Sequence, residues 1–248
     1  ELYASFVNVS RSVSQEQYVI IFLILTVGVG LFSAGTARSI DNATRDRVRY
    51  AVGADVSLTP YWWGEHSAAD VVNPDAGVGP DTPIVRREPP FEAFATLPGV
   101  VAATKVLRKE AVRALAPEGG RFSATLRAIV PAEYGAAAWH RADLLPAELG
   151  RYLRAPARRP DSILVSRSVA EAFRVRVGDR LEVSLGSGGH LSGRVAAVVD
   201  YWPTWNPELR DERGERPNLI VADYTYVRAR QPLEPYEIWI RRDPAVDG

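Results

Sequence analysis

The longest apolar pattern in the sequence lies near its start, where residues 17–37 contain no charged side chain. Apolar residues occupy every face of a helix over this stretch, and twenty residues at about 1.5 Å each cover the roughly 30 Å hydrocarbon core of a bilayer. We therefore predict a transmembrane helix over residues 18–37, preceded by a pre-membrane segment, residues 1–17. A secretory signal peptide is the alternative, but the basic segment that begins such peptides is missing and the apolar stretch is too long.

The second half of this predicted span is rich in small residues. Small side chains allow two helix backbones to approach closely within a bilayer. We therefore predict that five residues pack against a neighbouring helix in the membrane. They are Gly28, Gly30, Ser33, Ala34 and Gly35.

Polar residues with helical spacing follow the span. Residues 39–51 contain no Pro or Gly, so the helix should continue beyond the membrane as a polar stalk until Gly53. The interleaved acidic residues favour a solvated stalk over an arm that binds nucleic acid. Residues 52–58 then alternate as a strand, and the stalk and first strand together occupy residues 38–58.

A proline-rich stretch without long apolar runs occupies residues 59–90 and predicts a loop rather than a folded domain. It contains the aromatic triplet Tyr61, Trp62 and Trp63. Such a triplet is compatible with a membrane interface, with contact to a partner and with packing in a core. The sequence leaves these three alternatives open.

From residue 91 to residue 248 the pattern predicts one compact α+β domain, with a mixed or antiparallel sheet and short helices. Strands are predicted at residues 100–115, 122–130, 162–166, 177–185, 190–201, 218–222 and 236–241. Short helices are predicted at residues 91–97, 132–139 and 146–153, and Ser168 is predicted to cap a fourth that ends at Phe173.

Composition removes several classes of function. Thirty basic residues balance thirty acidic ones, which argues against nucleic acid as a partner. The absence of cysteine excludes disulfides, thiolate nucleophiles and Cys-based metal sites. The absence of methionine, even at position 1, indicates that this polypeptide does not begin where translation begins.

Candidate chemistry is sparse. His66, His140 and His190 lack metal-ligand spacing, and no Gly-x-Ser-x-Gly elbow surrounds a serine. The glycine-rich turn at residues 186–189 lacks the Lys-Ser/Thr of a phosphate-binding loop. We therefore expect no catalytic residue, no metal and no cofactor, and a membrane-anchored hydrolase is the least favoured reading.

Several segments, taken in order, resemble ABC transporter permeases of the FtsX/MacB type. Residues 28–56 are similar to the exit of that family's first helix, which runs into a stalk and then a Gly-Ala-Asp turn. The other similar segments are residues 91–101 with Leu-Pro-Gly-Val, Ile163–Ser166 leading to Val177–Asp179, Val198–Thr204 and Tyr236–Ile240.

This resemblance implies a bacterial inner-membrane protein whose residues after about 38 face away from the cytoplasm. It implies a cytoplasmic ABC ATPase and a second permease copy or paralogue as partners, with ATP-driven motion passed through the stalks. Arginines are more frequent after the span than before it, and by the positive-inside rule this places the residues after the span in the cytoplasm. The resemblance implies the other orientation, and therefore that the arginine count reflects truncation. The family also has three further spans after the outer domain, whereas this sequence stops at Gly248.

The competing interpretation is a single-pass membrane-anchored protein whose outer domain binds a ligand or a scaffold partner without an ATPase. In either case we predict an aromatic surface that contacts a partner or the membrane. Its residues are Tyr61, Trp62, Trp63, Tyr201, Trp202 and Trp205.

Overall fold

The computed structural model describes residues 2–66, 84–186, 188–210, 214 and 216–246. The chain divides into two units, residues 1–48 and residues 49–248. A single helix, α1 (Leu2–Val52), makes up the first unit and contributes its last turn to the second. Among the described residues, one helical stretch, Gln17–Val52, is long and apolar enough to cross a membrane.

Polar side chains in the apolar part of α1 are satisfied within the helix. The hydroxyls of Thr26 and Thr36 donate to the carbonyls of Phe22 and Phe32, at 2.7 and 2.9 Å. A bilayer offers no water to such groups, so this internal bonding suits a helix surrounded by lipid. The large apolar side chains around them are exposed.

The helix runs to Gly53, as the stalk prediction has it. It ends at Val52, and Gly53 adopts a positive φ of 81° that terminates it. The strand predicted at residues 52–58 is consequently shorter and begins at Val56.

The second unit is a mixed α+β domain. Its strands are β1 (Val56–Leu58), β2 (Trp63–His66), β3 (Ile84–Arg87), β4 (Val100–Leu115), β5 (Arg121–Ile129), β6 (Ser162–Ser166), β7 (Arg180–Gly186), β8 (Gly189–Val199), β9 (Leu219–Asp223) and β10 (Glu237–Arg242). Its helices are α2 (Phe91–Ala95), α3 (Pro131–Ala137), α4 (Leu149–Arg158), α5 (Arg167–Ala172) and α6 (Tyr224–Arg228), with short 3-10 turns at Ala142–Leu144 and Pro244–Val246.

The main sheet has eight strands in the order β1-β10-β4-β5-β9-β6-β8-β7. The end of β4 also pairs with β7, where Arg113 lies opposite Ser184. Six strands, β4-β5-β9-β6-β8-β7, therefore close into a barrel, while β10 and β1 extend the sheet beyond it. The pairs β5–β9 and β6–β8 are parallel, and the remaining pairs are antiparallel.

The sheet separates two apolar cores. Alternate residues of β5, including Phe122, Ala124 and Leu126, point into the barrel. The opposite face, with Ile129 and Trp239, is covered by α3, by α4 and by the segment around Trp202. This second core is the one that receives the end of α1.

Three further local predictions are corrected. The proline-rich segment, predicted as a loop, contains the antiparallel strands β2 and β3, with Trp63 opposite Arg87. Ser168 does not cap α5: Ser166 occupies the N-cap position without a side-chain cap, and its hydroxyl accepts from the backbone N–H of Leu219. The helix predicted at residues 146–153 lies further along as α4, and α6 is an element that the pattern does not predict.

Candidate functional site

The last turn of α1 is bonded into the domain at a site that we call the helix anchor, formed by Tyr50, Gly53, Trp202, Thr204 and Trp205. The Tyr50 hydroxyl lies 2.6 Å from the carbonyl oxygen of Trp202 and 2.9 Å from that of Trp205, and it accepts from the Trp202 N–H at 3.1 Å. Burial raises the pKa of Tyr50, so its hydroxyl keeps its proton at physiological pH.

Backbone bonds complete the helix anchor. The Thr204 N–H donates to the Tyr50 carbonyl at 3.0 Å, and the Trp139 N–H donates to the Gly53 carbonyl at 2.8 Å. Only glycine fits at position 53, because a Cβ there would lie 2.4 Å from the Trp239 ring. The helix end and the sheet are therefore in direct van der Waals contact.

A stacked aromatic layer supports the helix anchor from inside the domain. The Tyr134 ring stacks on Trp202 with centroids 5.6 Å apart and lies 5.5 Å from the ring of Trp239. All three side chains are buried. Aromatic rings have few rotatable bonds, so this layer is a stiff support.

A buried arginine contacts the same turn. Thr204 has a positive φ of 65°, and Arg127 Nε donates to its hydroxyl at 3.2 Å. Burial, with the nearby Arg108, lowers the pKa of Arg127 to about 10, so the guanidinium remains charged at neutral pH.

The structure places the six predicted contact aromatics in two groups. Trp202 is 1% exposed, Trp62 and Trp205 are also buried, and Tyr201 is half-buried. The buried indoles pack within the domain, so they do not form an exposed contact surface. Tyr61 and Trp63, 77% and 68% exposed, lie edge to face on the outside with ring centroids 5.6 Å apart.

Trp62 lies between those two exposed rings in sequence but points inward. It packs edge to face on Tyr236 with centroids 5.1 Å apart. Tyr236 in turn donates its hydroxyl to Glu88 at 2.8 Å, and Lys105 Nζ lies 2.6 Å from the same carboxylate. Burial alone raises the pKa of Glu88, but these hydrogen bonds and the nearby cations hold it below its ordinary value.

The small residues of α1 lie on two faces of the helix. Gly28 and Gly35 are seven residues apart and share one face, whereas Gly30 and Ala34 are four apart and, with Ser33, share another. A Cβ on Gly28, Gly30 or Gly35 would meet nothing within 4 Å. Within this unit, the small positions are open on both faces.

The histidines and serines with possible chemistry are spread through the described part of the domain. No three His, Cys, Asp or Glu side chains there are placed to hold a metal ion. His140 and His190 lie in different parts of the domain, and the side chain of His66 lies outside the described residues. Ser166 and Ser168 bond each other and the backbone around β9.

Comparison with known proteins gives neighbours in structure. No protein-family model matches the sequence, and no curated protein matches it. The chain is similar to a domain of a permease protein from Porphyromonas gingivalis, with 17% identity, 63% of this chain and 67% of that chain covered, and a TM-score of 0.41.

Two further solved structures are similar over 63% of this chain. One is the extracellular domain of the noncanonic ABC-type transporter YknZ from Gram-positive bacteria, with 11% identity, 72% of that chain covered and a TM-score of 0.42. The other is the periplasmic region of MacB from Actinobacillus actinomycetemcomitans, with 10% identity, 64% covered and a TM-score of 0.40.

Sequence reasoning missed the key residues of the helix anchor. Tyr50 reads as one polar stalk residue among many, because its partner is 152 positions away. Gly53 was expected only to end the helix. The one available signal is that a tyrosine and a glycine stand together where the stalk meets the domain.

Proposed function

We propose that the chain is part of the membrane subunit of an ABC transporter, and that its outer domain is moved through the stalk by a separate ATPase. The observation that carries this proposal is the helix anchor, in which the end of α1 is hydrogen-bonded into the domain by Tyr50. A flexible linker would not transmit a movement of the helix to the domain, whereas a helix end that is bonded into the core of the domain transmits it. The sequence resemblance to FtsX/MacB permeases supports the same function.

The proposed partners follow from that function. ATP hydrolysis takes place in a cytoplasmic ABC ATPase, and a second permease copy or paralogue packs against the small residues of α1. The domain after residue 38 lies on the outer side of the bacterial inner membrane. The two small faces of α1 support contact with more than one neighbouring helix.

Within this proposal, Tyr61 and Trp63 form a contact surface for the substrate or a partner protein. Two exposed aromatic rings side by side are uncommon on a surface that meets only water, and aromatic residues are enriched at interfaces. Arg87, opposite Trp63 in the β2–β3 hairpin, is also exposed and adds a cation.

Isolation of the native protein from its membranes in a mild detergent tests the proposal. We expect an ATPase with a phosphate-binding loop, and a second permease chain, to copurify with it. ATPase activity of that complex should fall when Gly53→Val disrupts the helix anchor, with Gly119→Val in an exposed turn as the control. A protein that purifies without any ATPase would contradict the proposal and leave a single-pass binding protein.

A further inference from the structure

An open groove of about 640 Å³ lies between helices α3 and α4. Most of the side chains that line it are small and apolar. Helix α3 contributes Ala132, Gly135 and Ala136, and helix α4 contributes Gly150, Leu153 and Ala157. All of these except Leu153 are exposed, so the walls of the groove face outward. We call it the α3–α4 groove.

The two helices meet at the floor of the α3–α4 groove. A Cβ on Gly135 would lie 3.2 Å from Leu153 Cδ1, which shows how closely α3 and α4 approach there. A Cβ on Gly150 would meet nothing within 4 Å. The groove is therefore closed beneath Leu153 and open at Gly150, a shape that admits another chain from outside.

Three arginines follow one edge of the α3–α4 groove. Arg151, Arg154 and Arg158 are spaced three and four residues apart on α4, so they are neighbours on one face of the helix. Arg154 itself lines the groove, and Gly150 and Ala157 precede the other two arginines by one residue each. We call these three residues the arginine row.

The arginine row has no partner among the residues that the structure describes. All three side chains are exposed, and none of them makes an ion pair or a hydrogen bond there, whereas the next arginine, Arg159, lies 3.9 Å from Asp161. Like charges at this spacing repel one another. The groove lining contains one carboxylate, that of Glu148, so the row and the lining together remain positively charged.

An apolar groove beside a row of cations is complementary to one kind of partner. A helix with an apolar stripe fits a groove between two helices, and carboxylates along one side of that stripe would pair with the guanidinium groups. A lipid surface fits less well. Interfacial helices insert large apolar side chains, and α3 and α4, both within the described residues, expose none.

We propose that the α3–α4 groove and the arginine row together bind an acidic amphipathic helix of a partner protein. The apolar stripe of that helix packs on the small side chains of the groove, and its Asp or Glu residues pair with the arginine row. This site is separate from the exposed pair Tyr61 and Trp63. It requires no ATPase, so it goes beyond the proposed function.

Selection from a display library of helical peptides tests the proposal. The peptides have about 18 residues, long enough to form a helix, and carry random residues at their surface positions. The full chain in nanodiscs of phosphatidylcholine is the bait. We expect the selected peptides to share an apolar stripe with Asp or Glu along one side. Selected peptides that lack the acidic side, or a selection that returns no peptide, would overturn the proposal.

Two substitutions separate the charge from the shape of the site. Arg154→Glu replaces attraction by repulsion and should weaken binding of the selected peptides at least about tenfold. Gly150→Leu fills the groove without a change of charge and should weaken binding by a similar factor. If either variant binds at wild-type strength, the groove and the row do not act together and the proposal is refuted.

Each substitution has a matched control outside the groove. Arg121→Glu reverses the charge of an exposed arginine on β5, and Thr225→Leu adds an apolar side chain at an exposed position of α6. Both should bind the peptides as the wild type does, and losses equal to those of the groove variants would also refute the site. Near-ultraviolet circular dichroism of each variant confirms that the domain remains folded.

Flotation with vesicles examines the lipid alternative. The protein in nanodiscs is mixed with vesicles of phosphatidylcholine, with or without phosphatidylglycerol. We expect no flotation that depends on Arg154. Flotation with the anionic vesicles that Arg154→Glu abolishes would assign the arginine row to a lipid surface and overturn the proposal.

Discussion

One hydroxyl group, that of Tyr50, meets three main-chain groups of the domain. Two are carbonyl oxygens and one is an N–H, and all belong to the turn from Trp202 to Trp205. That turn is kept in a left-handed conformation at Thr204, which non-glycine residues seldom adopt. The hydroxyl therefore satisfies a turn that would otherwise leave polar groups without partners in a buried place.

Removal of this hydroxyl is the most direct test at the scale of a residue. Tyr50→Phe leaves the ring in place but removes the hydrogen-bond acceptor of the Trp202 N–H. This loss should lower the free energy of unfolding by about 2 kcal/mol. Thermal unfolding in detergent, followed in the near ultraviolet, measures the change. Tyr201→Phe is the matched control, since no hydrogen bond of its hydroxyl is present among the described residues. Equal effects of the two substitutions would refute the role of Tyr50.

The lowered pKa of Glu88 predicts that the stability of the domain depends on pH. Its folded pKa lies below the ordinary 4.5, so the ionised carboxylate stabilises the fold. The contribution is complete above the ordinary value and is lost as pH falls through the folded one.

Glu88→Gln should therefore cost about 1–2 kcal/mol at pH 7 and lose less stability than the wild type between about pH 5 and pH 3. Unfolding midpoints at a series of pH values measure both effects. Glu118→Gln, in an exposed turn, is the control. If both variants follow the wild-type pH profile, the Lys105 and Tyr236 contacts do not stabilise the carboxylate.

At the scale of elements, helix α1 is the part that the sequence describes best. The uncharged stretch, the polar stalk and the terminating Gly53 are all local signals, and the structure joins them in one helix. The hairpin of β2 and β3 is the opposite case. Its two strands are four residues each and lie far apart in sequence, so no local periodicity indicates their pairing.

The small residues of α1 give a prediction at the same scale. Gly28→Leu and Gly35→Leu fill one face of the helix, and Gly30→Leu fills the other. We expect the substitution of at least one face to weaken assembly with a neighbouring helix, while the domain remains folded because these positions belong to the other unit. Native mass spectrometry in detergent measures assembly, and near-ultraviolet circular dichroism measures the fold.

Val29→Leu is the matched control, because it adds bulk in the same turn at a position that is already large. Unchanged assembly in all three glycine variants would show that α1 does not pack closely through its small residues.

At the scale of the whole molecule, closure of the barrel depends on β4. The strand has 16 residues, and a register shift between Lys109 and Val112 lets it pair with β10 along its first half and with β7 at its end. Such bulges increase local twist and help a sheet to curve into a barrel. The sequence predicts the length of β4 correctly, but two of its partners, β10 and β7, are far away in the chain and leave no local signal.

The same distance argument applies to the helix anchor. The sequence indicates a helix that enters a domain, yet the aromatic layer is assembled from Tyr134, Trp202 and Trp239, which belong to three separate segments. The sequence does not show whether these tryptophans are buried or exposed, because a lone aromatic residue has no periodicity. The fold class was predictable from local patterns, whereas the helix anchor depends on contacts between distant segments and was not.

The two lysines of the chain, Lys105 and Lys109, have a practical consequence. They lie on β4, are 19% and 15% exposed, and are bonded to Glu88 and Glu234. A lysine-specific protease needs an extended chain around its target, so the folded barrel gives it no place to cut. Each cleavage therefore requires the barrel to open at β4, its longest strand. The rate at which the protease digests the native protein measures how often the domain opens.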